Sequence, residues 1–243
     1  MTGFNFYCII FNVKNVLNLT DIKAVAFDID GTLYRNWSLN YRMSLHFFRH
    51  CIFFLHYGIV RKELRKIVLE KDFIQVQDEL MAKRLKCTPI EAHQQLDKIV
   101  YTGLKKYFPR IKTCSGAIEL IKKLKENGYK IALLSDFPPE QKGNVWGILD
   151  YCDVVLGTEE IGALKPSAKP FEVLASKLQL PANQILYVGN SEKYDVVGSK
   201  KVGFKSALFI SGFKGFFGKK SKLADITFSK YSQLENILFN KKI

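Results

Sequence analysis

Lys23-Ala24-Val25-Ala26-Phe27-Asp28-Ile29-Asp30-Gly31-Thr32-Leu33 decides how this chain reads. An apolar run ends abruptly in two carboxylates one residue apart, followed by Gly and Thr. Asp is depleted in strands and Gly weakens them. The run therefore predicts a buried strand that stops at Asp28 and releases into a turn. Two acids at the end of a buried strand repel each other unless something positive sits between them. A divalent metal does that, and hard oxygen ligands suit Mg2+. With such an ion, one carboxylate can act as nucleophile and the other can move protons.

Downstream, four more apolar runs recur: Lys130 to Leu134, Val154 to Leu156, Ile185 to Val188 and Ala207 to Ile210. Helical patterns alternate with them. Ser115 to Asn127 reads as a helix stopped by Gly128, Phe171 to Leu178 as another, and Val196 to Lys201 as a short third. Strands alternating with helices predict crossovers and a parallel sheet, an α/β Rossmann-like core. In such sheets ligands collect at the carboxyl ends of the strands.

The stretch from 37 to 112 breaks the alternation. Its periodicity is helical, with many aromatics and few strand signals. Helices are expected near 40–56, 60–83 and 89–107, with Gly58 dividing the first two and Thr88-Pro89-Ile90-Glu91 as a capping box. The expected organisation is a core of residues 21–36 plus 113–243, an all-helical cap of 37–112 inserted over the strand ends, and an extension, 1–20, of open role.

Composition narrows the partners. The chain has 243 residues, 37 Lys plus Arg against 23 Asp plus Glu, and a formal net charge of +14. Such a charge attracts anions, phosphorylated metabolites among them. The lysines are scattered and form no basic tract, which argues against nucleic acid as the partner. The five cysteines are an odd number, widely spaced and without Cys-x-x-Cys, as in reduced cytoplasmic thiols. His46 and His50 stand four apart without the Glu of His-Glu-x-x-His and read as surface or capping histidines. No segment reaches membrane-spanning length, so no membrane partner is expected. Oligomeric state stays open.

Each core strand is followed by chemistry-bearing residues. Ser135 and Asp136 follow Leu134; Lys165-Pro166 closes the segment after Leu156; Gly189-Asn190-Ser191-Glu192-Lys193-Tyr194-Asp195 follows Val188. Singly these read as helix caps and surface residues. In this order, on successive strand ends, they resemble the haloacid dehalogenase-like hydrolase superfamily, over Lys23 to about Phe209 excluding the insertion. The insertion resembles the helical cap of the phosphoglycolate phosphatase-like branch. The resemblance implies a Mg2+-dependent phosphohydrolase acting on a small phosphorylated metabolite. Asp28 would be the nucleophile and Asp30 the acid and base. Thr32, Ser135, Asp136 and Lys165 would surround the phosphate. Asp28, Asp30, Asn190 and Asp195 would serve the metal.

Two positions depart from the family pattern. Asn190 stands where Asp is common and removes one negative charge from the metal motif. Asp136 stands where Asn is common, and its side chain would cap the next segment or face the phosphate. These departures keep open a catalytically weakened descendant that binds phosphorylated ligands or protein partners; a phosphomutase is the other alternative. Asp30 argues against a metal-free dehalogenase of the same superfamily, and the helical insertion against a receiver domain. The cap cations Arg35, Arg42, Arg49, Lys62 and Arg65 could meet an acidic substrate.

Overall fold

A computed structural model describes residues 19–69, 72–144, 146–212, 218 and 220–239. Most of the amino-terminal extension, residues 1–18, lies outside them.

Six strands form one parallel sheet: β1 (Ala24–Phe27), β2 (Lys130–Ser135), β3 (Val154–Gly157), β4 (Ile185–Gly189), β5 (Lys205–Phe209) and β6 (Ile226–Phe228). Their order is β3-β2-β1-β4-β5-β6. The first five fall where the apolar runs predict. The sixth is only three residues long, too short to stand out in the sequence. β1 is buried on both faces, which is why its sequence is continuously apolar and does not alternate. Val25 and Phe27 enter one core, Ala24 and Ala26 the other. The register pairs Phe27 with Leu133 on one side and with Val188 on the other. Asp28, Ser135 and Asn190 thus leave the sheet at neighbouring points of its carboxyl edge.

Between β1 and β2 the chain is helical. Helices α1 (Asn36–Arg42), α2 (Ser44–Arg49) and α3 (Cys51–Leu64) follow one another through the single residues Met43 and His50. Then come α4 (Phe73–Leu85), α5 (Pro89–Leu96), a π-helical stretch Asp97–Tyr101 and α6 (Thr102–Lys105). Thr88 and Glu91 cap each other's backbone at the start of α5. A bridge between Tyr34 and Thr113 closes the two crossings of this segment into the sheet domain.

The expected division at Gly58 is not there. Gly58 lies inside α3, and the break falls after Leu64. A helical Gly costs about 1 kcal/mol, which the burial of Phe53, Tyr57, Val60 and Leu64 on the same helix outweighs. His46 is not a free surface group: its Nε2 lies 2.9 Å from the Ile99 carbonyl oxygen.

The remaining helices flank the sheet: α7 (Ala117–Glu126), α8 (Thr158–Ile161), α9 (Lys169–Leu178), α10 (Val197–Lys201) and α11 (Tyr231–Phe239). α7 buries Ala117, Leu120, Ile121 and Leu124 on one face. Truncating either leucine to Ala would cost about 2–5 kcal/mol. A π-helical turn, Glu192–Val196, precedes α10 and is capped by the Ser191 hydroxyl, which accepts from the Tyr194 N–H at 3.2 Å.

Candidate active site

β1 delivers Asp28 into the protein. Its side chain is buried, and its backbone N–H donates to the Val188 carbonyl on β4. Lys165 Nζ donates to Asp28 Oδ1 at 2.6 Å and to Asp195 Oδ1 at 2.8 Å. Thr32 donates its hydroxyl to Asp28 Oδ2 at 2.8 Å. Both oxygens of Asp28 therefore have a donor.

The charges here do not balance. Lys165 is the cation shared by two buried carboxylates. Burial pushes Asp28 up to about 7, against the pull of Lys165 and with the push of Asp195 and Asp30. Burial alone would lower Lys165, yet the carboxylates of Asp195 and Asp28 hold it well above the ordinary lysine value. Its amine also lies 3.2 Å from the Tyr187 hydroxyl, which donates in turn to the Leu134 carbonyl.

Asp195 is held by glycine as much as by lysine. A Cβ on Gly189 would stand 2.3 Å from the Asp195 Cβ, so no larger residue fits at that position. Asp195 Oδ2 accepts the Ser191 N–H at 2.9 Å. Gly31 has φ +88°, a conformation other residues rarely adopt, and a Cβ there would meet the amides of Asn190 and Asn36. The turn after β1 is thus pressed against the loop after β4.

Asp30 sits one step outward, partly exposed. Its Oδ1 accepts the Tyr34 hydroxyl. Its Oδ2 accepts Ser135 Oγ at 3.1 Å and pairs with Lys142 Nζ at 2.9 Å. Lys142 is itself buried, with Phe108 and Phe137 rings beside its amine. Tyr34 is raised well above the ordinary tyrosine value by burial first and then by Asp30. It stays a donor.

A cleft of about 330 Å³ opens above these groups. Asp28, Asp30, Asp136, Lys165, Asn190 and Asp195 line it. Thr32 and Ser135 lie behind the lining, their hydroxyls engaged by Asp28 and Asp30. Asp136 turns its carboxylate to Arg65 at 2.5 Å, to the Thr158 hydroxyl at 3.0 Å and to the Lys165 N–H at 3.2 Å. Arg65 also lines the cleft and lies over the Tyr194 ring, 4.2 Å from its centroid. Arg61, from α3, joins the helical segment to the sheet domain through buried Glu159 and the Asp136 carbonyl.

Sequence reasoning missed Lys142 and Tyr34. Nothing marks Lys142 among 37 basic residues; only the fold shows that it is buried. Tyr34 carried a usable signal, four residues past Asp30 in the same turn.

The donor set suits a hard divalent cation. Asp28 and Asp195 hold more negative charge than Lys165 balances, and the Asp30 carbonyl and Asn190 amide add neutral oxygens. Mg2+ typically takes one or two carboxylates with waters and substrate phosphate. Among the described residues no cluster of three or more His, Cys, Asp or Glu is arranged to hold a metal, so the ion would have to draw on those neutral donors.

The family model for haloacid dehalogenase-like hydrolases matches residues 25–209, covering every group just described. The chain belongs to that family. Pyrophosphatase PpaX of Halalkalibacterium halodurans is 25% identical over 201 residues, which are 80% of this chain and 86% of that one. A phosphoglycolate phosphatase of Aquifex aeolicus is 26% identical over 231 residues, 90% of this chain and 98% of its own. The crystal structure of a HAD phosphatase from Thermococcus onnurineus superposes with a TM-score of 0.60 at 22% identity, over 91% of this chain and all of that one. That likeness shows the fold.

Proposed function

We propose that this haloacid dehalogenase-like hydrolase is a Mg2+-dependent phosphomonoesterase that works through an aspartyl phosphate on Asp28. The observation that carries the reading is the buried Asp28 carboxylate, fixed by Lys165 and Thr32 at the floor of a cleft with Asp30 beside it. The phosphatase names of the relatives support it.

One Asp28 oxygen attacks phosphorus, and the bond to the leaving oxygen breaks. Asp30 passes a proton to that oxygen. A water then attacks the aspartyl phosphate, Asp30 takes the water's proton, and the Asp28 carboxylate is regenerated. Lys165 fixes Asp28 and adds positive charge beside the transferred group. Such catalysis is mainly positioning and charge neutralisation. Asp28, Asp195, the Asp30 carbonyl and Asn190 would hold Mg2+, which supplies positive charge for the phosphoryl oxygens.

The helical segment 37–112 serves in this reading as the cap that reads the leaving group, and Arg65 is its cation in the cleft. The cleft volume suits a small phosphorylated metabolite. Asn190 favours a second reading, a protein with a weakened metal site that binds phosphorylated ligands.

The test is hydrolysis of p-nitrophenyl phosphate by the purified protein, with Mg2+ and then with EDTA, beside Asp28→Asn. Metal-dependent turnover that the variant loses supports the phosphatase. A folded protein without turnover at any Mg2+ concentration supports the second reading.

A further inference from the structure

The cap carries a surface that the phosphatase reading does not use. Tyr41, Leu45, Phe48, Ile52, Leu55 and Ile59 follow one another at intervals of three or four residues along α1–α3. Within α2 that spacing puts Leu45 and Phe48 on one face, and within α3 it does the same for Ile52, Leu55 and Ile59. All six are between 40% and 80% exposed. The other face of α3 holds Phe53, Tyr57, Val60 and Leu64 in the core, while α1 and α2 meet it through Met43 between them and through partly buried Leu39 and Phe47. A helix apolar on both faces is ordinarily buried all round. Among the described residues only one face of α3 is covered.

Along α1–α3 as far as Lys62 the charge has one sign. From Gly31 to Lys62 the sequence contains no Asp or Glu. Arg35, Arg42, Arg49 and Lys62 are exposed, and none forms an ion pair with a carboxylate among the described residues. Beyond α3, Ile67 and Val68 are exposed as well. Two copies of this face would bring arginines together with no acid to meet them. A basic helix with exposed aromatic and aliphatic residues has the chemistry of a peptide lying in a lipid headgroup layer.

We propose that the outer face of α1–α3 docks on anionic phospholipid membranes, the apolar stripe entering the headgroup boundary and the arginines meeting lipid phosphates. The absence of a spanning segment bears on crossing a bilayer and not on lying along one.

The test is sedimentation of the full-length protein with vesicles of phosphatidylcholine, with and without phosphatidylserine. The expected result is co-sedimentation with the phosphatidylserine vesicles and little with phosphatidylcholine alone. Arg42→Gln and Arg49→Gln should each weaken it about fivefold. Trp37 lies at the start of the stripe and is exposed, so its emission should shift to the blue. Trp146, whose indole N–H donates to the Ile111 carbonyl, should not respond. The double variant Phe48→Asp/Leu55→Asp should lose co-sedimentation with its melting temperature unchanged. No binding to phosphatidylserine vesicles overturns the proposal. So does binding that the double variant retains. A dimer in light scattering that the double variant dissociates, without vesicle binding, assigns the face to a second copy of the chain instead.

Discussion

Asp28 and Asp30 are separated by one residue and stand in opposite surroundings. Asp28 is at the floor, buried, with Lys165 and Thr32 on its oxygens and a second carboxylate, Asp195, on the far side of the same lysine. Asp30 is at the mouth, partly exposed, with Tyr34, Ser135 and Lys142 as its own donors. In the proposed mechanism that difference would separate a fixed nucleophile from a group open to water and protons. Alternation along an extended chain would send both side chains the same way. The extended strand ends at Phe27, and Asp30 already lies in the turn that follows, which parts their surroundings.

The largest break of this comparison is at the floor. Asp28→Asn keeps the shape and removes the attacking charge, so turnover should fall by about a thousandfold or more with circular dichroism unchanged. Most of the activity surviving would place the nucleophile elsewhere. Lys165→Met should act on stability as well, because it leaves Asp28 and Asp195 buried without a cation. Removing one partner of a buried pair costs about 3–5 kcal/mol, readable as a shift in the urea midpoint. An unshifted midpoint would mean that the two acids are protonated without their lysine.

The mouth should respond differently. Lys142→Met removes one donor from Asp30 while Tyr34 and Ser135 remain. The expected outcome is a fall in kcat of about tenfold to a hundredfold, with KM little changed and Asp28 chemistry intact. An equal rise in KM would mean that Lys142 serves substrate binding. Asn190→Asp adds a carboxylate to the metal side and should lower the Mg2+ concentration for half-activation by about tenfold. An unchanged Mg2+ dependence would remove Asn190 from the ion.

Much of the floor is legible in the sequence, because its residues terminate apolar strands. Asp28, Lys165, Asn190 and Asp195 each follow such a run, and a parallel sheet gathers its strand ends. The mouth is less legible. Lys142 is placed by the path of the loop after β2, which no periodicity reports. The hydroxyls of Thr32 and Ser135 are legible as residues, but their turn toward Asp28 and Asp30 depends on side-chain packing. Gly58 shows the same limit in the helical segment between β1 and β2. Its propensity predicts a break, and the packing of α3 carries the helix through it. The exposed stripe is different again: its periodicity is readable, but only the fold shows which apolar face is covered.

Asp136 ties the mouth to the helical segment between β1 and β2, through Arg65, and gives the smallest effect. Burial alone would raise its carboxyl, but Lys165, Arg65 and Arg61 more than offset that and hold it below the ordinary 3.8. A carboxyl whose folded value is depressed contributes stability above its unfolded value and loses it as the pH falls through the folded one. Asp136→Asn should therefore destabilise the protein at neutral pH and matter progressively less below about pH 4. Urea denaturation at a series of acid pH values reads this directly: the wild-type and Asp136→Asn curves should converge as the pH falls. Parallel curves would mean that the Arg65–Asp136 pair does not favour the carboxylate in solution. Arg65 would then be free to act only on the substrate, and the mouth would be held to the cap by Arg61 and Glu159.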